Sequence, residues 1–173
     1  APACAEEDHA WGWGDTVGDV DTLYIVGGGH VSLALSRVAA TLPQHIVVLD
    51  DRPDLDTMAR NRWAHQRRVV DYRRVAEEIE PGEHTFTTIM THGHRADADV
   101  LRRLIGVPMR YLGLMGSRAK VEQIFAALER EGHERSGLNR VHAPIGVAIG
   151  SHTPEEIAIS IAAEIIAVRN GVG

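Results

Sequence analysis

Compact blocks of apolar and β-branched residues alternate along this chain with longer segments in which apolar residues recur every three or four positions. The blocks predict buried strands, which we place at residues 23–26, 46–49, 69–70, 85–91 and 110–114. The helical spacing predicts helices at about residues 30–42, 73–79, 96–105, 117–131 and from 154 onward. Strands that alternate with helices predict an α/β fold: a doubly wound, mostly parallel, Rossmann-like sheet in three layers.

The last predicted helix has the clearest start in the chain. Thr153 suits the N-cap, Pro154 suits the first helical position, and Glu155 and Glu156 suit the positive end of the helix dipole. The apolar residues that follow lie on nearly all sides of the helix. We therefore expect other elements to cover it on more than one side.

Composition places the chain among ordinary globular proteins. It has 173 residues, of which 44% are hydrophobic and 24% charged, enough for one domain with its own core. The single cysteine, Cys4, excludes an internal disulfide and a multi-cysteine metal cluster. Because no apolar stretch approaches membrane-spanning length and the N-terminus lacks a basic or apolar leader, we expect a cytoplasmic protein without a membrane partner.

The net charge of −6 is concentrated at one end of the chain. Residues 1–21 hold six acidic side chains and no Lys or Arg, so residues 22–173 balance 18 acidic against 18 basic side chains. We interpret residues 1–21 as an acidic linker or N-terminal extension and residues 22–173 as a Rossmann-like nucleotide-binding domain. A body without basic excess argues against a nucleic-acid partner.

A glycine-rich turn joins the first predicted strand to the first predicted helix. Gly27 permits a tight turn, Gly29 presents no side chain to an approaching pyrophosphate, and the first N–H groups of the helix face the anion. The third position of the dinucleotide fingerprint is Ser32 instead of glycine, which weakens the match. The alternative is that these glycines only turn the chain.

An acidic residue ends the second predicted strand at the spacing that a dinucleotide fold requires. Asp50 follows Gly27 by 23 positions, and a carboxylate there accepts hydrogen bonds from ribose hydroxyls and repels a 2′-phosphate. This favours NAD over NADP, although the neighbouring Arg52 leaves that choice open.

Two further strands end in polar residues at the same predicted edge of the sheet. His92 and His94 are weak candidates for catalysis; with Asp97 they make only an incomplete metal signal, so no metal site is expected. Arg118, with Lys120 nearby, opens a helix that would form a second anion cradle, or else is simply exposed on a capped helix. Residues 142–150 would either wall a pocket or connect packed elements. The predicted cofactor-binding residues are Gly27, Gly28, Gly29, His30, Val31, Asp50, Asp51, Arg52, Thr91, His92, Gly116, Ser117 and Arg118.

Six ordered motifs together resemble a known family. They occupy residues 25–31, 48–53, 90–92, 112–118, 142–146 and 153–158. The series is similar to the C-terminal Rossmann domain of the XdhC/CoxI family, the xanthine dehydrogenase accessory factors. Fuller members of that family carry an additional N-terminal domain with a cysteine motif, and Cys4 lies in no such context here.

The resemblance implies a role in the maturation of molybdenum hydroxylases. Family members are thought to hold the molybdenum cofactor, support its sulfuration and help deliver it to a xanthine dehydrogenase-type apo-enzyme. The expected ligand is a phosphate-bearing cofactor, either molybdopterin or NAD(H), and a homodimer is left open. The competing hypotheses are an NAD(H)-dependent oxidoreductase, with His92 or His94 transferring a proton, and a nucleotide-sensing regulatory module.

Overall fold

Five parallel strands form the centre of the domain. The computed structural model describes residues 20–172, so the predicted acidic extension lies almost entirely outside the described residues. The strands are β1 (Thr22–Val26), β2 (His45–Asp50), β3 (Gln66–Val69), β4 (Gly82–Ile89) and β5 (Met109–Leu114). Their order across the sheet is β3-β2-β1-β4-β5, and all four neighbouring pairs are parallel.

Helices cover both faces of this sheet. They are α1 (His30–Ala39), α2 (Asp56–Arg60), α3 (His94–Leu104), α4 (Arg118–Arg130), α5 (Arg135–Leu138) and α6 (Pro154–Arg169), with a 3-10 helix at Tyr72–Glu78. α1 and α6 pack together on one face, where Leu35 and Ile161 belong to the same buried cluster as Ile25. α3, α4 and the 3-10 helix cover the other face, with Leu101 and Ile124 fully buried. The predicted three-layer, doubly wound α/β fold is confirmed.

The strand and helix boundaries differ from the sequence prediction mainly where the chain is polar. The third strand lies at Gln66–Val69 rather than residues 69–70, because an edge strand with exposed side chains needs no apolar run. The helix predicted at residues 73–79 is a 3-10 helix beginning at Tyr72, and the short helix α5 was not predicted.

The start of α6 is as predicted, but its surroundings are only partly so. The Thr153 side chain accepts a hydrogen bond from the backbone N–H of Glu156, and the Glu156 carboxylate accepts one from the N–H of Thr153, completing a capping box. Ile161 is fully buried, whereas Ile159 is 52% exposed. α1 and β5 both contact α6, so other elements cover it on more than one side as predicted, but the side that carries Ile159 is exposed.

The two edge strands of the sheet differ in what lies beside them. β3 forms one edge with mostly exposed side chains, among them Arg67. Along β5, the backbone of His142 pairs with Gly113 in a parallel bridge, which places the segment after α5 beside that edge. None of the helices within residues 20–172 is long and apolar enough to cross a bilayer.

Candidate functional site

A crevice lies where the chain changes direction at the carboxyl edge of the sheet. β1 and β4 are neighbours, but the helices that follow them, α1 and α3, pack on opposite faces. Open α/β sheets bind their ligands at such a switch point. The turns after β2 and β5 flank the same crevice, so the fold brings the predicted residues at four strand ends to one edge.

The structure explains the presence of glycine differently at the three positions of the first turn. Gly27 has a φ of +110°, and a side chain there would overlap the backbone of Met90. A side chain on Gly28 would meet the Met58 side chain at 2.5 Å. A Cβ atom on Gly29 would contact no atom of residues 20–172 within 4 Å. The packing of the protein therefore accounts for the first two glycines, whereas the space beside the third is open.

The N-terminus of α1 faces this open space. The N-cap, Gly29, has no side chain to offer, and among the described residues no side chain caps the helix. The first-turn N–H groups of His30, Val31 and Ser32 therefore lack a capping acceptor. By contrast, the Ser117 side chain caps α4 by accepting a hydrogen bond from the N–H of Lys120. Open space and uncapped donors fit a phosphate group, which would rest on these three amides.

Asp50 turns into the protein and holds the glycine turn. Its carboxylate is fully buried and accepts hydrogen bonds from the N–H of Gly28 at 2.6 Å and from the N–H of Arg52 at 2.9 Å. The Arg52 guanidinium donates two more, from Nε and Nη2, each at 2.8 Å. Burial alone would raise the pKa of Asp50, but these hydrogen bonds outweigh burial and lower it. All four acceptor positions of the carboxylate are thus filled by the protein.

Asp51 and His92 lie on the open side of the same turn. Oδ1 of Asp51 is 3.7 Å from Nδ1 of His92, and both side chains are at least one-third exposed. Tyr72 is buried near this turn, where burial raises the pKa of its hydroxyl and the carboxylates of Asp50 and Asp51 raise it further. His94 begins α3 and is exposed. Within residues 20–172, His92 therefore lies near a carboxylate, whereas His94 makes no ion pair.

A buried ionic link joins the ends of β4 and β5. Oδ1 of the fully buried Asp97 accepts hydrogen bonds from the N–H of Thr91 at 2.9 Å and from its hydroxyl at 2.6 Å. Oδ2 pairs with the Lys120 ammonium, which also donates to the carbonyl of Met115 at 3.2 Å. The Lys120 ammonium therefore points inward, and the prediction that it assists Arg118 in binding an anion is not supported. Within residues 20–172, no three His, Cys, Asp or Glu side chains are arranged to hold a metal.

The second predicted cradle borders a hollow of about 420 Å³. Gly116 and Arg118 line one side of this hollow, residues 144–151 line the other, and Ile157 of α6 also contributes to its lining. Arg118 is exposed, so its guanidinium is free to reach a ligand. Of the two interpretations of the segment after His142, the structure supports a pocket wall.

Glu164 on α6 fastens this wall, a role that no spacing in the sequence indicated. One of its oxygens, Oε2, accepts hydrogen bonds from the Tyr111 hydroxyl at 2.5 Å and from the N–H of Gly146 at 2.9 Å. Its other oxygen lies 3.6 Å from Nδ1 of His142. Burial alone would raise the pKa of Glu164, but His142, Tyr111 and Gly146 together lower it. The charged carboxylate is therefore the form that holds the wall in place.

Comparison with known proteins agrees with the fold and the ordered motifs. A family model described as the XdhC Rossmann domain matches residues 23–165. The chain belongs to this family. The match includes the glycine turn, the Asp50–Arg52 turn, the β4 and β5 ends and most of α6, so the resemblance inferred from the six motifs is confirmed.

Relatives of this XdhC Rossmann domain are longer than the chain itself. The Escherichia coli (strain K12) protein YqeB is 34% identical over 149 residues, which are 86% of this chain and 27% of that protein. A Bacillus subtilis (strain 168) protein described as a probable xanthine dehydrogenase subunit is 27% identical over 150 residues, which are 87% of this chain and 43% of that protein. A crystal structure described as a xanthine dehydrogenase from Bacillus halodurans has a TM-score of 0.76 at 26% identity and covers 89% of this chain and 44% of the other.

Proposed function

We propose that this XdhC Rossmann domain is an accessory factor for molybdenum hydroxylases. It binds a phosphate-bearing cofactor, the molybdenum cofactor or a dinucleotide, in the crevice at the carboxyl edge of the sheet. It then assists the maturation of a xanthine dehydrogenase-type enzyme. Family membership and relatives described as xanthine dehydrogenase proteins support the accessory role.

The observation that supports cofactor binding most strongly is the open space beside Gly29. Packing against neighbouring residues explains Gly27 and Gly28, but no atom in the described part of the chain lies within 4 Å of a Cβ atom on Gly29. The uncapped amides of His30 and Val31 border that space. A bound cofactor would supply its redox or group-transfer chemistry, whereas these residues bind and orient its phosphate.

Substitution of Gly29 by alanine tests this proposal. The φ of Gly29 is −70° and its ψ is −168°, so alanine fits the backbone, and the free energy of unfolding should change by less than about 1 kcal/mol. The added methyl group enters the phosphate space, and we expect the affinity for the cofactor to fall at least about tenfold, or about 1.4 kcal/mol. The matched control is Gly106→Ala, whose Cβ also meets none of the described residues within 4 Å but lies after α3, away from the crevice.

The measurement starts from small molecules released from anaerobically purified protein and identified by mass spectrometry. Calorimetric titration with molybdopterin and with NAD+ then compares the wild type, Gly29→Ala and Gly106→Ala. Equal affinity in all three proteins would refute the phosphate site. The accessory role has its own assay, the recovery of xanthine oxidation by an apo-enzyme given the loaded domain, and no recovery would refute that role.

The position of His92 favours one second candidate, an NAD(H)-dependent oxidoreductase. Its imidazole lies at the crevice, 3.7 Å from Asp51, where it could transfer a proton. This alternative requires a substrate-dependent change in nicotinamide absorbance. The absence of turnover across a panel of aldehydes and hydroxy acids would exclude it.

A further inference from the structure

Two adjacent carboxylates at the end of β2 have opposite surroundings. Asp50 is fully buried, and Gly28 and Arg52 fill its acceptor positions. The Asp51 side chain is 36% exposed and makes no hydrogen bond within the described part of the chain. Within residues 20–172, the nearest basic side chains are His92, with Nδ1 at 3.7 Å, and Arg52, with Nε at 4.0 Å, both beyond hydrogen-bond distance. Asp51 therefore keeps acceptor capacity for a ligand, whereas Asp50 does not.

We propose that Asp51, rather than Asp50, binds the sugar hydroxyls of the ligand, and that the site selects ribonucleotides with a free 2′-hydroxyl. The proposal rests on the proposed function, because it assigns the sugar of a ligand whose phosphate occupies the α1 N-terminus. It departs from the fingerprint spacing, by which the carboxylate 23 positions after Gly27 would bind the ribose.

The position of Asp51 suits a sugar joined to that phosphate. β2 and β4 are the two neighbours of β1, so a contact between the Asp51 and His92 side chains crosses the end of β1. The glycine turn begins at that same end. A ribose attached to a phosphate on the α1 amides would have Asp51 beside it, and a carboxylate can accept hydrogen bonds from both vicinal hydroxyls.

The charges around Asp51 disfavour a phosphate on the ribose. Arg52 is the nearby cation that could receive a 2′-phosphate, but Asp50 holds its guanidinium through two hydrogen bonds. A 2′-phosphate would have to take Arg52 from a fully buried carboxylate, which would lose its counter-charge. The same phosphate would also lie beside the negative charge of Asp51. Competition with Asp50 for Arg52 and repulsion by Asp51 thus both disfavour a 2′-phosphate.

Paired titrations of NAD+ and NADP+ test the assignment. We compare the wild type with Asp51→Asn, and with Asp54→Asn as a matched control that removes the same charge three residues away on an exposed side chain. We expect the wild type to prefer NAD+. In Asp51→Asn, we expect the affinity for NAD+ to fall about tenfold or more and the preference over NADP+ to shrink. Asp54→Asn should bind both as the wild type does.

The outcomes separate this assignment from the proposed function. Wild-type binding of NAD+ with unchanged affinity and selectivity in Asp51→Asn would overturn the role of Asp51 and leave the phosphate site intact. Binding of molybdopterin but of neither dinucleotide would overturn the ribose assignment alone. Binding of none of the three compounds would overturn both proposals. Thermal melting of each variant shows whether it is folded. Asp51→Asn should melt as the wild type does, because the Asp51 side chain makes no hydrogen bond to lose within the described residues.

Discussion

Replacement of Asp50 by asparagine tests whether this carboxylate organises the site from within. The change keeps the size of the side chain but leaves one oxygen in place of two. Two of the four donors that now point at Asp50 would then face an amide NH2 group, which is itself a donor. Gly28 and Arg52 cannot both remain satisfied.

The magnitude follows from the hydrogen bonds lost. Two charge-assisted hydrogen bonds contribute about 3–6 kcal/mol together, at about 1.5–3 kcal/mol each. The Arg52 side chain is 38% exposed, so water recovers part of this loss at the guanidinium. We therefore expect the free energy of unfolding to fall by about 2–4 kcal/mol, with a drop in melting temperature of roughly 4–16 °C for a domain of this size.

The assay is urea unfolding followed by tryptophan fluorescence and circular dichroism, with thermal melting alongside. Asp51→Asn and Asp54→Asn serve as controls, and each should stay within about 0.5 kcal/mol of the wild type because both side chains are exposed. A loss below about 1 kcal/mol in Asp50→Asn, or an equal loss in the controls, would refute the view that Asp50 holds the turn.

Two further changes test the glycine turn and the pocket wall. Gly27→Ala should destabilise the domain by more than about 3 kcal/mol, because alanine is strained at a φ of +110° and its Cβ overlaps the backbone of Met90. Chemical denaturation measures this loss. A variant as stable as the wild type would contradict the close contact between Gly27 and the backbone of Met90. Glu164→Gln should cost about 1–2 kcal/mol at pH 7, since a neutral amide holds Tyr111 and Gly146 less well than a carboxylate. The folded-state pKa of Glu164 is lowered, so its contribution is present above the ordinary value near 4.3 and is lost as the pH falls through the folded value. The gap between wild type and Glu164→Gln should therefore close below about pH 4, and a gap independent of pH would contradict the role of the charge.

Hydrophobic patterning predicted the layers of this fold because buried parallel strands leave a signal that does not depend on distant residues. β1 and β2 are solid apolar runs, and both lie inside the sheet, away from its edges. β3 lies at the edge and has little apolar content, so the same rule placed it three residues late. The 3-10 helix has a helical apolar pattern, and such a pattern does not distinguish it from an α-helix.

The candidate site was predictable in its position but not in the roles of its side chains. The strand ends and the glycine turn correctly predicted which polar residues lie together at one edge of the sheet. Which of Asp50 and Asp51 stays accessible to a ligand depends on the direction in which each side chain leaves the end of β2. Spacing along the chain does not give that direction. The same holds for Lys120, whose pairing with Asp97 spans 23 positions and joins two helices.

The structure of the two sheet edges affects whether copies of this domain aggregate by adding strands to one another. An exposed β-strand is a ready template for strand addition, the route by which many sheets aggregate. Here the β3 edge presents the charged side chains of Arg67 and Arg68, and the β5 edge is already paired with the backbone at His142. Intermolecular sheet extension is thus discouraged at one edge by charge and at the other by a strand-like partner from the same chain. The domain can in this way present its side chains to its surroundings while its edge strands keep their backbone hydrogen bonds within one chain.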